Sequence, residues 1–213
     1  GCVKDVEAGK DDLIANPLPS LQIIDVKGYK SVHTLLVAGT PPWAALAGTA
    51  ARLRRYPSPA ALEATVGRRF GLATEEVLAT AGADDGLWRA IAAVAAPGRQ
   101  VVVPAPTFEM IPRYVAAAGA ERVDVPWPAG GPWPLEAVLE RVGEATAAVM
   151  VVSPNNPTGA VATASALRRL AAAAPGALLV VDQAYAEYGG EDLLPAVREL
   201  PNAVLLRSFS KAG

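Results

Sequence analysis

One cysteine, Cys2, is the whole thiol complement of this 213-residue chain. That count excludes an internal disulfide, disfavours a zinc site and points to a reducing cytoplasm. Charge is nearly balanced, with 19 Lys and Arg against 21 Asp and Glu for a net −2. No basic footprint for nucleic acid or an acidic membrane follows from that, and neither is expected as a partner. Proline, glycine or charge interrupts every apolar run before it reaches membrane-spanning length. Residues 1–20 carry mixed charge and no apolar block, so they do not read as a signal peptide. The balance, 52% apolar and 19% charged, is that of a globular chain. Its length suffices for one sizeable core, or for a large domain with an appendage.

Two compositional regions stand out. Residues 1–35 are read as an N-terminal arm or unrelated segment, polar and without strong periodicity, and residues 36–213 as the main domain. After a proposed helix behind Pro41-Pro42-Trp43, residues 60–71 read as a helix with Leu62, Val66 and Phe70 on one face. Strands and helices then alternate. Strands are expected at 77–80, 101–103 (ending at Pro104), 122–125, 147–152, 177–181 and 203–206. Helices are expected from Gly82 to about Val94, and at 108–118, 135–142 and 164–173. Continuous apolar strands separated by helices imply an α/β fold whose mostly parallel sheet is covered on both faces. Ligands of such sheets sit beyond the carboxyl ends of the strands. Ser153-Pro154-Asn155-Asn156, Asp182 and Ser208 to Lys211 each follow one of these strands.

The chemistry available there is specific. Asp182 follows five apolar residues, and a carboxylate so placed needs a cation or strong donor. A protonated pyridine nitrogen would serve, although an aspartate at a strand end is also a common helix cap or salt-bridge partner. Tyr185 and Asn156 could both donate to a ring oxygen, lowering the proton affinity of an adjacent imine; a half-buried tyrosine and a plain Asn-Pro turn are the simpler alternatives. Lys211 offers an amine able to hold an aldehyde and then move a proton, unless it is merely solvated. Ser208, Ser210 and the turn at Gly82-Ala83-Asp84 are candidates for phosphate, the last through amides at a helix N-terminus. That turn reads equally well as an N-cap by Asp84 or Asp85. Phe108 could stack on a flat ring or pack in the core. Asn156 precedes Asp182 by 26 positions and Asp182 precedes Lys211 by 29, so each interval holds one connection and one strand.

Four segments strengthen the case: Arg55-Tyr56-Pro57, Ser153 to Gly159, Asp182 to Tyr188 and Arg207 to Ala212. Together they resemble the fold-type-I pyridoxal 5'-phosphate (PLP) aminotransferases of class I/II, in particular the histidinol-phosphate aminotransferase branch, over about residues 50–213. The resemblance implies a PLP-dependent aminotransferase acting on a small-molecule amino donor and a 2-oxo acid acceptor. It implies Lys211 as the Schiff-base lysine, Asp182 on the pyridine nitrogen, Asn156 and Tyr185 on the ring oxygen, and Phe108 stacked on the ring. The Ala83 and Asp84 amides, with Ser208 and Ser210, would hold the phosphate. Tyr56 would reach the cofactor of a neighbouring subunit in a homodimer, and the Asn156-Pro157 bond would be cis. Residues 36–213 would be the PLP-binding large domain, stopping after the lysine, with the small C-terminal domain missing. Some features depart from the pattern. Gln183 stands where Glu is usual, Phe108 where Tyr is frequent, and Ala38-Gly39-Thr40-Pro41-Pro42 where an Asn-Glu-Asn-Pro-like segment is expected. The Pro-Pro-Trp segment is similar to threonine-phosphate decarboxylases, an alternative with the same cofactor. A truncated, non-catalytic fragment is the third reading.

Overall fold

Valine, alanine and leucine build a sheet from the second half of the chain, because β-branched and small apolar side chains fit strands buried on both faces. The computed structural model describes residues 21–24, 31–34, 58–128, 130–209 and 211. The chain divides into two compact units between Thr80 and Ala81.

In the first unit, strands β1 (Leu21–Ile24) and β2 (Ser31–Thr34) pair antiparallel, from Leu21↔Thr34 to Ile24↔Ser31. The sequence showed no periodicity there. Helix α1 (Ala60–Phe70) forms where expected and ends on Gly71 in the left-handed conformation, φ 66°. Its proposed apolar face is only partly covered: Leu62 is 52% exposed, Val66 and Phe70 are half-buried, and Gly67 is the residue that is buried. A Cβ at Gly67 would lie 2.8 Å from the Leu72 carbonyl oxygen, so only glycine lets the chain turn back so closely. Residues 77–80, expected as a strand, are not one. Val77 is extended (φ −118°, ψ 130°), but the segment joins no ladder among the described residues. The Ala79 N–H donates to Glu63 Oε1 at 3.0 Å instead.

The second unit holds a five-stranded parallel sheet in the order β4-β3-β5-β6-β7. The strands are β3 (Gln100–Ala105), β4 (Glu121–Pro126), β5 (Thr146–Val152), β6 (Leu178–Asp182) and β7 (Ala203–Leu206). The helices are α2 (Gly82–Val94), α3 (Met110–Ala117), α4 (Leu135–Leu139), α5 (Ala164–Ala173) and α6 (Leu194–Glu199). Every residue of β5 is buried, as its unbroken apolar run implies. Alternate side chains serve opposite faces. Ala148, Met150 and Val152 pack with Leu87 and Ile91 of α2 and with Ile111 and Val115 of α3. Val149 and Val151 pack with Leu167 and Leu170 of α5 and with Ala196 and Val197 of α6.

Several boundaries differ from the sequence reading, most of the strands by one residue. β3 continues through Pro104, which pairs with Val125 on β4; pairing with β5 runs only from Gln100 to Val102, so the missing proline N–H interrupts no bond on that side. α3 begins at Met110, leaving Phe108 in the preceding loop and Pro112 in the first turn. α4 stops at Leu139 and finishes in turns. Ile91 sits between α2 and the sheet at a fully buried position. Ile91→Ala should therefore cost about 2–5 kcal/mol in denaturant-induced unfolding.

Chain order reverses direction between β3 and β5. The connection from β3 leads outward to β4, and the chain then crosses back to β5 and proceeds to β6 and β7. The loops after β3 and β5 therefore diverge at a switch point, the place where open α/β sheets form ligand crevices.

Candidate active site

Register brings the carboxyl ends of three strands level. Val152 of β5 lies beside Asp182 of β6, which lies beside Leu206 of β7. Main-chain bonds tie the next residues together: Ser153 N–H to the Asp182 carbonyl and Gln183 N–H to the Leu206 carbonyl, both 2.9 Å. Sequence intervals of 26 and 29 residues thus collapse onto one sheet edge.

Asp182 is 4% exposed. Its Oδ1 accepts from the Ala184 N–H at 2.9 Å, which is its one hydrogen bond among the described residues. Burial pushes its carboxyl up to about 6; the Ala184 bond opposes that, Asp84 adds to the rise, and Lys211 lowers it.

Lys211 places its Nζ 5.2 Å from the centre of the Tyr185 ring, within the range of a cation–π contact. Tyr185 in turn lies 5.9 Å from the Tyr188 ring. The Tyr188 hydroxyl donates to the Lys211 carbonyl at 3.0 Å, fixing the backbone of the lysine turn. Asn156 is half-buried and its side-chain amide has no hydrogen-bond partner among the described residues. Its bond to Pro157 is cis, as are Ala105-Pro106 and Ser153-Pro154. Phe108 is half-buried, packed against the core cluster under α2 and α3. Ser208 is half-buried beyond β7. Tyr56 and Ser210 lie outside the described residues, as do the segment around Pro41-Pro42-Trp43 and most of the N-terminal arm.

At the start of α2 the two aspartates have different work. Asp85 accepts from the Ala81 N–H at 3.0 Å and pairs with Arg89 at 2.9 Å, and the Arg89 hydrogen bond holds its carboxyl below the usual range. Asp85 thus closes the helix start. Ala83 and Asp84 contribute first-turn amides, which have no acceptor inside an α-helix.

Four further residues shape this edge, and sequence reasoning gave them no role. Gln183 is 1% exposed. Its Nε2 donates to the Glu191 carbonyl, and its Oε1 accepts from the Leu193 N–H and from Arg207. The amide donates and accepts at once, which an ionised carboxylate could not do. Asp192 supplies the ion partner for Arg207. Asn155 is 3% exposed and bridges two loops. Tyr188 is 65% exposed, and its position three residues after Tyr185 was the available signal.

The residues fit a flat, anionic cofactor with a protonated ring nitrogen. A desolvated carboxylate with a single donor calls for a cation, and the unpartnered Asn156 amide calls for an acceptor. Among the described residues no group of His, Cys, Asp and Glu is arranged to hold a metal ion.

Comparison with known proteins agrees with this chemistry. The chain is 39% identical over 175 residues to an aromatic amino acid aminotransferase from Thermobifida fusca, covering 79% of this chain and 48% of the relative. It is 34% identical over 165 residues to histidinol-phosphate aminotransferase 2 of Nitrosococcus oceani, covering 76% and 46%. The structure superposes with TM-score 0.70 and 30% identity on histidinol-phosphate aminotransferase from Sinorhizobium meliloti in complex with pyridoxal-5'-phosphate, covering 82% of this chain and 50% of that one. The chain therefore spans about half the length of the curated relatives it matches. The family model described as aminotransferase class I and II matches residues 31–213. On that match, the chain belongs to the class I and II aminotransferases, whose cofactor is pyridoxal 5'-phosphate.

Proposed function

We propose that this chain carries the cofactor-binding machinery of an enzyme that moves an amino group between an amino acid or amino phosphate and a 2-oxo acid. The observation that carries the reading is Asp182: a buried carboxylate at a strand end, with one hydrogen bond and a raised pKa, is stable as an anion only opposite a cation. When bound, PLP supplies an electron sink for the substrate carbanion. The chain's own residues do the rest. Asp182 keeps the ring nitrogen protonated. Asn156 and Tyr185 donate to the ring oxygen, and Phe108 covers the ring face. The α2 amides at Ala83 and Asp84, with Ser208 and Ser210, take the phosphate. Lys211 is the residue that would hold the cofactor aldehyde, and its Nζ would be the atom available to move a proton. Tyr56 serves the neighbouring site of a homodimer. Residues 36–213 form the cofactor-binding domain. The single cysteine supports a cytoplasmic setting.

The names of the relatives suggest histidinol phosphate or an aromatic amino acid as donor. The full-length protein, given PLP, should turn yellow, and borohydride should fix the label on Lys211. With either donor and 2-oxoglutarate it should form glutamate. Labelling of another lysine would refute the site, and carbon dioxide release from threonine phosphate would replace transamination by decarboxylation.

A further inference from the structure

We infer that Asn155, through Thr107, is a positioning residue that locks the loops carrying Phe108 and Asn156 into one unit. The inference rests on the PLP reading for its functional meaning, but its geometry stands independently. Beyond Val102↔Val149 no ladder joins β3 to β5, so their carboxyl ends part at the switch point. Asn155 spans that gap. Its Oδ1 accepts from Thr107 Oγ1 at 2.8 Å, and its Nδ2 donates to the Pro106 carbonyl at 3.1 Å, across 48 and 49 residues of sequence. The same Nδ2 donates to Thr158 Oγ1 at 2.9 Å. The Asn155 main chain closes its own loop, N–H to the Ala160 carbonyl at 2.9 Å and carbonyl from the Gly159 N–H at 2.7 Å.

The side chain is buried and every polar atom is used, so the arrangement tolerates little substitution. Aspartate would set an acceptor against the Pro106 carbonyl. An apolar residue would leave the half-buried Thr107 hydroxyl and the Pro106 carbonyl without this partner. Phe108 directly follows Thr107 and Asn156 directly follows Asn155. A slip in this clamp therefore moves the ring-stacking and ring-oxygen groups relative to each other, while Asp182 on β6 and Lys211 in the turn beyond β7 stay in place.

Thr107→Val removes one O–H donor with little change of shape, and Thr107→Ser keeps it. In the full-length protein without cofactor, Thr107→Val should speed amide hydrogen exchange at Asn155 and Gly159 about tenfold, the scale of one lost hydrogen bond. Thr107→Ser should restore the parent rates. With PLP added, Thr107→Val should raise the pKa of the Lys211-bound chromophore by about one unit, because the Asn156 donor is displaced, and Thr107→Ser should not. Unchanged exchange at Asn155 and Gly159 overturns the clamp. Altered exchange with an unshifted chromophore pKa overturns its positioning role. If the unmodified protein forms no Lys211 chromophore, the PLP reading fails, while the exchange rates still decide the clamp.

Discussion

Replacing Asp182 by asparagine should stabilise the cofactor-free protein at neutral pH and at the same time disable its chemistry. The Asp182 carboxyl has an ordinary value of 3.8 and is raised to about 6 in the fold. Between those values the native chain holds a proton that the unfolded chain has lost, so stability falls as pH rises. Relative to an uncharged side chain, the stability is fully present below pH 3.8 and is lost as pH passes through about 6. A gap of about two units corresponds to about 3 kcal/mol. The substituted amide would keep the acceptor for the Ala184 N–H and carry no charge into the core. The stability advantage of Asp182→Asn should therefore grow from pH 4 to pH 7 and then level off, as read from urea midpoints. A difference independent of pH would contradict it. In the PLP-loaded, full-length protein, the same change should lower amino transfer by on the order of 10²–10⁴-fold, the range of a single positioned group.

Lys211→Ala should have a larger kinetic effect, because two functions leave together. In the proposed role, the amine that would anchor the aldehyde and the base that would move the proton are one atom. Amino transfer should fall by on the order of 10⁴-fold or more. Added PLP should give no yellow, borohydride-reducible product, in contrast to the parent. The fold should persist, since the contact that orients this turn, Tyr188 to the Lys211 carbonyl, uses only main chain on the lysine side. Because the Lys211 charge lowers the Asp182 pKa, its loss should move that carboxyl further up. A variant that still yields a reducible adduct at parental intensity would remove Lys211 from the proposed role.

How much of this was legible beforehand depends on where the signal sits. Buried strands announce themselves, because a run such as Ala147 to Val152 has no polar side to offer water; all of β5 is buried. The residues just beyond those strands were legible for the same reason, since Asp182 is polar where the chain has just been apolar. Extended but unpaired chain was not: Val77 has strand dihedrals, and pairing is a property of a neighbour. Pro104 looked like a terminator, yet the side of β3 on which its missing N–H falls carries no ladder at that level. Gln183 and Asn155 were visible as letters in motifs, but their work is fixed by partners such as Glu191, Leu193 and Thr107, which no local spacing brings near. Tyr56 and Ser210 remain proposals from resemblance, and they lie outside the described residues.

The level alignment of Val152, Asp182 and Leu206 has a consequence for how such a site tolerates change. Each connecting helix leaves from the reactive rim and returns at the opposite one, where Pro175-Gly176 precedes β6. Chain added at that far rim alters the count between Asn156 and Asp182 without altering their separation in space, which is set by strands about 4.8 Å apart. Distance along the sequence and distance across the sheet edge are therefore uncoupled. Lineages with this architecture can lengthen or shorten their helices freely while the reacting groups stay where the hydrogen-bond ladder puts them.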